Sequence, residues 1–288
     1  MKYFKLLPIL IILIAYSCTS DGIRIPEVQE QTDTEETEGN QTNNEGENSG
    51  DDSVSIVNGI KIGPNYIVFE PEVTNSDLGN WVVRKEGEAK YYPDSDSFIS
   101  TTGSIPAIND SYLEFTGNNL NGGAANSPLN YSFKCPKTAK YRMVMRMLQP
   151  LETCTPGTAD CTDQGYEKGD KRNDLWFKLQ GDFTSASSFS TEDLKKNHKF
   201  WGRGVRKWGS IHKMEGHING NKTHSDVIVN LKKDEEYTLT ISGRAQGCSI
   251  DFIVFYEYAL EQNGDFKVDI HTDLAEELPE YLRPDILD

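Results

Sequence analysis

An all-β fold, an antiparallel β-sandwich of the jelly-roll form, is the architecture this sequence predicts, and three observations predict it. Eight short apolar or alternating runs of strand length recur between residues 66 and 256. Clusters of Gly, Asn, Pro and Asp separate them, as turns between antiparallel strands require. Sustained helical periodicity, with apolar residues every three to four positions, is hard to find in the same stretch. At this length the jelly roll is the commonest arrangement.

In chain order the runs are residues 66–70 (YIVFE), 112–116 (YLEFT), 131–135 (YSFKC), 141–148 (YRMVMRML), 175–180 (LWFKLQ), 226–231 (DVIVNL), 237–242 (YTLTIS) and 249–256 (SIDFIVFY). Side chains alternate faces along a strand, so each run sorts into an inner and an outer side. Tyr141, Met143, Met145 and Met147 oppose Arg142 and Arg146. Leu175, Phe177 and Leu179 oppose Trp176 and Lys178, and Tyr237, Leu239 and Ile241 oppose Thr238 and Thr240. One outer face presenting Arg, Trp, Lys and Thr together is expected from this sorting.

Ahead of the domain, Lys2 and Lys5 precede an apolar run over residues 6–15 that ends at Tyr16, Ser17 and Cys18. The run is shorter than the roughly 20 residues a membrane-spanning helix needs and suits the core of a signal peptide. It resembles a lipoprotein signal of the Bacteroidota type over residues 1–18. That likeness implies a lipidated Cys18, ordinary secretion being the alternative, and an outer-membrane address facing either the cell surface or the periplasm. Residues 19–53 carry 11 acidic groups against the single Arg24, with little that is apolar, and read as a disordered, solvated linker. The linker therefore holds 10 of the chain's 16 net negative charges, and the low pI says little about a ligand. The folded domain is expected over residues 54–260, about 205 residues and enough to bury about 70% of their unfolded surface. An acidic tail over residues 261–288 follows, its Leu274, Leu278, Leu282 and Ile286 spaced four apart as in a short helix lying on the domain.

Between Leu179 and Asp226 the composition changes. Lys195, Lys196, Lys199, Arg203, Arg206, Lys207, Lys213 and Lys222 are interleaved with Phe200, Trp201 and Trp208, with glycines between. The stretch reads as a Gly-rich excursion whose aromatic and basic side chains bind flat, polar or anionic partners. A solvated loop whose Trp side chains plug the edge of the core is the bland alternative. An extracellular address argues against nucleic acid.

Cys154 and Cys161 flank a polar Pro/Gly turn, which suits a local disulfide in an oxidising compartment. Cys135 and Cys248 either pair across the core or remain two small buried groups. Four of the five His, at 198, 212, 217 and 224, fall within 27 residues, but their spacing matches no zinc pattern. No nucleophile elbow, P-loop or dinucleotide fingerprint occurs. A carboxylate pair for glycoside hydrolysis is a spatial feature that the sequence does not single out.

Asp251 lies on an apolar strand side with Ile253 and Phe255, where a bare charge costs several kcal/mol, so a cation is expected beside it. Glu70 and Glu72 share a strand side with Tyr66 and Val68. If the first strand meets the last, these three carboxylates converge as hard oxygen ligands for Ca2+, and an Arg neutralising Asp251 is the competing arrangement.

The segments FEPE (69–72), YLEFTGN (112–118), RNDLW (172–176), WGS (208–210) and ISGRAQGCSIDFIVFY (241–256) together resemble the carbohydrate-binding modules of families 6 and 35, over residues 66–256. The resemblance implies a galactose-binding-like jelly roll, a structural calcium on Glu70, Glu72 and Asp251, and a noncatalytic role. It implies a sugar site in a loop-built cleft with Asn173, Asp174, Trp201, Arg203, Trp208 and Arg244. The chain departs from the pattern at Pro71, Cys248 and Phe252. Indole faces suit sugar C–H surfaces, planar polar groups suit hydroxyls, and the added Arg and Lys suit uronate or sulfate groups. The expected partners are a polysaccharide or oligosaccharide, the membrane through a lipid anchor only, and proteins that degrade or import glycans. Two alternatives stay open: a lyase or hydrolase using His212 or a carboxylate pair on the same fold, and a surface adhesion or assembly module.

Overall fold

The computed structural model describes residues 54–92 and 105–284; the signal peptide, Cys18 and the acidic linker lie outside the described residues. Each of the eight runs forms a strand. The strands are β1 (Ser55–Val57), β2 (Ile60–Gly63), β3 (Tyr66–Phe69), β4 (Trp81–Lys85), β5 (Ser111–Phe115), β6 (Asn126–Lys134), β7 (Ala139–Leu148), β8 (Asp174–Gln180), β9 (Thr184–Ser185), β10 (His198–Arg203), β11 (Trp208–Ile218), β12 (Asn221–Leu231), β13 (Glu236–Gly243) and β14 (Ser249–Glu257). Among the described residues three short α-helices accompany them, α1 (Thr191–Leu194), α2 (Tyr258–Gln262) and α3 (Leu274–Glu277).

The backbone pairs in the order β1-β2-β3-β14-β7-β12-β11-β10-β8-β13-β6, every named pair antiparallel, with β5 and β4 branching from β14. The sheet curls on itself into a sandwich. Phe69 of β3 meets Phe133 of β6 edge-on at 5.4 Å, and Phe133 lies 5.5 Å from Phe255 of β14. The inner sides predicted from alternation make this core: Met143, Met145, Met147, Leu175, Phe177, Leu179, Leu239 and Ile241 are all buried. Cys135 and Cys248 are buried and unpaired.

The stretch read as an excursion is instead part of the sheet. Strand β10 inserts between β8 and β11, and β11 joins β12 through Asn219 and Gly220, both left-handed at φ 51° and 78°. Two residues of that kind form the tight turn whose twist matches a hairpin, and they fix its register.

The outer face is continuous, but not all of it is open. Arg142 and Arg146 are 4% and 0% exposed, because residues 258–283 fold back over β7 and β14. Leu274, Leu278 and Leu282 pack there on Val144, Phe252, Val254 and Tyr256. Burial of a leucine side chain is worth about 1.5–3 kcal/mol, enough to hold the segment in place. Residues 261–284 therefore pack on the domain.

Candidate functional site

The outer face of β8, β10, β11 and β12 brings charged side chains into rows, because register sets which residues are neighbours across the strands. Trp201 stands opposite Asp174 and Lys213; Lys199 stands opposite Trp176 and Glu215; Glu215 stands opposite His224. At one end of these strands the face is walled by loops, leaving a pocket of about 350 Å3. Asn121, Asp170, Asn173, Asp174, Lys199, Trp201, Glu215, Lys222, His224 and Arg244 line it.

Arg244 is placed by the backbone around it. The amide of Ala245 donates to the carbonyl of Asp174 at 3.1 Å and that of Gln246 to Asn119 at 2.9 Å, while Asn118 Nδ2 donates to the Arg244 carbonyl at 2.9 Å. Gly122, at φ 102°, clears the space for the guanidinium: a Cβ there would lie 2.2 Å from Arg244 Nη1. The guanidinium donates to Asp174 Oδ2 at 2.5 Å and sits 5.3 Å from the ring centroid of Trp176.

An alternating chain of charges crosses the pocket floor. Lys199 Nζ lies 3.2 Å from Asp174 and 3.2 Å from Glu215, whose other oxygen meets Lys222 at 2.9 Å and His224 Nε2 at 3.3 Å. Burial pushes the Glu215 carboxyl up, but hydrogen bonds from Lys222 and Lys199 outweigh it and hold the group below its ordinary value. Trp201, half-buried, packs edge-on against His224 with centroids 5.2 Å apart. Three buried polar atoms here, Asp174 Oδ1, Trp201 Nε1 and Arg244 Nε, have no hydrogen-bond partner within the protein.

The disulfide between Cys154 and Cys161 supports one wall. It closes the loop carrying Asp160, which accepts from Asn121 Nδ2 at 3.5 Å and pairs with Lys171 at 3.0 Å; Lys171 in turn donates to Asn121 Oδ1.

Of the residues proposed from the sequence, Asn173, Asp174, Trp201 and Arg244 meet in this pocket. Arg203 is exposed at the end of β10 and is not among the lining side chains. Trp208 is fully buried, edge-on to Tyr112 at 5.3 Å and with the Arg146 guanidinium 4.6 Å from its ring, so it presents no face to a ligand. Asn121, Asp170, Lys199, Glu215, Lys222 and His224 complete the pocket without having been assigned to it. The Asn219-Gly220 turn was the available signal, since its register pairs Glu215 with His224 and His217 with Lys222.

The first and last long strands do pair, Val254 standing opposite Val68. Asp251, however, is neutralised by Arg146, whose Nη1 donates to Oδ2 at 2.7 Å, and the amide of Ile108 donates to Oδ1 at 3.1 Å. Arg146 spends its remaining donors on both oxygens of Asp273 and on the carbonyls of Ile105 and Pro106. Glu70 accepts from Asn109, and Glu72 Oε1 accepts from Ser111 Oγ at 2.5 Å. Glu72 Oε2 is buried without a partner, and burial, with the field of Asp251 adding to it, pushes that carboxyl up to about 7. Among the described residues, no three His, Cys, Asp or Glu side chains are disposed to hold a metal ion. Glu70 and Glu72 suit a hard cation, whereas Asp251 already has its oxygens engaged.

His212 lies outside the pocket, 3% exposed, with Nδ1 3.0 Å from Ser210 Oγ. Burial and the nearby Arg142 and Lys213 push it down to about 3, so it is neutral at ordinary pH.

No protein-family model and no curated protein matches the sequence. Among solved structures, the chain is similar to a Podospora anserina GH26-CBM35 β-(1,4)-mannanase, with 9% identity and a TM-score of 0.35, over 67% of this chain and 28% of that one. It is also similar to a family 35 carbohydrate binding module from Clostridium thermocellum, with 11% identity and a TM-score of 0.28, over 67% of this chain and 98% of that one.

Proposed function

We propose that the chain is a noncatalytic polysaccharide-binding protein whose glycan occupies the pocket around Trp201, Asp174 and Arg244. The observation that carries this reading is the convergence of an aromatic ring with three buried, unpartnered polar atoms in one pocket. Such atoms call for a hydrogen-bonding partner from outside the protein, which sugar hydroxyls can supply, while the ring accepts an apolar sugar face. Asn121 and Asn173 add planar amide groups at the rim. The motif resemblance over residues 66–256 points the same way.

Asp174 and Glu215 flank Lys199 as a carboxylate pair. Hydrogen bonds from Lys222 and Lys199 hold Glu215 below its ordinary value, which argues against Glu215 as the acid of a hydrolase. The test is binding to neutral and anionic polysaccharides by affinity electrophoresis and calorimetry. Trp201→Ala is expected to weaken binding about tenfold or more. Unchanged binding by that variant removes the pocket from consideration, and release of shortened sugars refutes the noncatalytic part.

The wider setting is proposed on sequence grounds. Lipidation at Cys18, with residues 19–53 as tether, would hold the domain at the outer membrane near proteins that degrade or import glycans. Cys18→Ala should shift the protein from the membrane to the soluble fraction. A structural calcium is proposed on Glu70 and Glu72, with Asp251 outside its ligand set.

A further inference from the structure

We propose, resting on the glycan-binding reading above, that the pocket selects neutral, hydroxyl-rich sugars over sugars bearing carboxylate or sulfate. The abundance of Lys and Arg between residues 195 and 222 suggests the opposite preference, but few of those charges are free to act in the pocket. Lys195 pairs with Glu192 and Lys213 with Asp226, and the exposed Lys196, Arg203 and Lys207 are not among the lining side chains. Within it, Arg244 and Lys199 hold Asp174, and Lys199 and Lys222 hold Glu215. Three cations thus face three carboxylates, Asp170 being the third, and no unbalanced positive field is left to attract an anion.

The unpartnered atoms narrow the choice further. Asp174 is 3% exposed, and its Oδ1 needs a donor; Trp201 Nε1 and Arg244 Nε need acceptors. A hydroxyl both donates and accepts, so it can serve either kind of atom. A carboxylate or sulfate only accepts, and beside Asp174 it would set like charges against each other. It would also have to take Arg244 from a carboxylate 2.5 Å away.

The inference makes a particular prediction for Asp174→Asn. Removing that charge frees Arg244 and leaves Lys199 with Glu215 alone, so affinity for neutral glycans should fall about tenfold while polygalacturonate or a sulfated galactan becomes a ligand. The full chain would be compared with this variant on mannan, xylan, galactan, polygalacturonate and sulfated galactan. For the unaltered protein, affinity should change less than about twofold between about 0.05 and about 0.5 M NaCl, because no net charge is being screened. That salt series stands on its own if the variant fails to fold. Binding confined to the anionic polysaccharides, weakening steeply with salt, would overturn the selectivity and leave glycan binding intact. Binding to none of the five overturns the glycan reading together with this one.

Discussion

Arg146 and Asp273 meet through two parallel hydrogen bonds of 2.7 and 2.6 Å, an arrangement that ties the middle of the sheet to the segment closing over it. The same guanidinium holds Asp251, so one arginine with no solvent exposure carries two carboxylates. Desolvating such a set is expensive, and the geometry recovers that cost only while every donor is engaged.

Removing one partner is therefore expected to cost more than removing all three. Asp273→Ala should destabilise the domain by about 3–5 kcal/mol, because it leaves buried charge uncompensated. Replacing Arg146, Asp251 and Asp273 together by apolar residues of similar size should cost much less. Urea denaturation of both variants measures the difference.

Glu72 sets an unusual pH dependence. Its carboxyl is raised to about 7 by burial, so the folded protein holds that proton more tightly than the unfolded chain does. The contribution is fully present below the unfolded value near 4.5 and is lost as pH rises through about 7, on the order of 1–3 kcal/mol. Glu277, half-buried and raised to about 7, acts in the same direction. In metal-free buffer Glu72→Gln should flatten the decline, read as Tm against pH. Calcium needs the ionised carboxylate, so adding it at pH 8 should raise Tm in the unaltered protein and not in Glu72→Gln. Equal Tm with and without the ion counts against the proposed calcium.

Gly122→Ala should damage the pocket more than the fold. Its φ of 102° makes a side chain strained there, costing about 1 kcal/mol, and the new Cβ would displace Arg244 from Asp174. Glycan affinity is expected to drop several-fold with the Tm lowered by only a few degrees.

Opening the disulfide should act on the same site from the other wall. The loop between Cys154 and Cys161 is short, so Cys154→Ser with Cys161→Ser should cost about 2 kcal/mol at most. Asp160 then loosens its hold on Asn121 and Lys171, and affinity is expected to fall modestly in calorimetry.

Period-two patterning made the core strands legible, because Met143, Phe177 and Leu239 are buried on sides that alternate without interruption. It failed at β10 and β11 for a local reason. A bulge between Trp201 and Gly202 shifts the register, so the inner side passes from Ile211 to Met214, three residues on. Trp201 and Arg244 could be nominated because their residue types suit a sugar. Trp208 could not be placed, since the aromatic partners that bury it, Tyr92 and Tyr112, lie about a hundred residues away in the chain. The same distance hid the partner of Asp251: an isolated carboxylate on an apolar strand announces a cation, but nothing local distinguishes Arg146 from a metal.

The segment that closes over β7 also orders events in time. Glu261 and Asp273 lie 119 and 127 residues downstream of the arginines they neutralise. A chain emerging from its N-terminus presents Arg142 and Arg146 long before those acids arrive, and the apolar face completed by β14 stays uncovered until the segment directly after it follows. The earliest moment at which the domain can reach its native stability is set by the emergence of residues 261–282, and until then the partly made sheet is a surface for chaperones to guard.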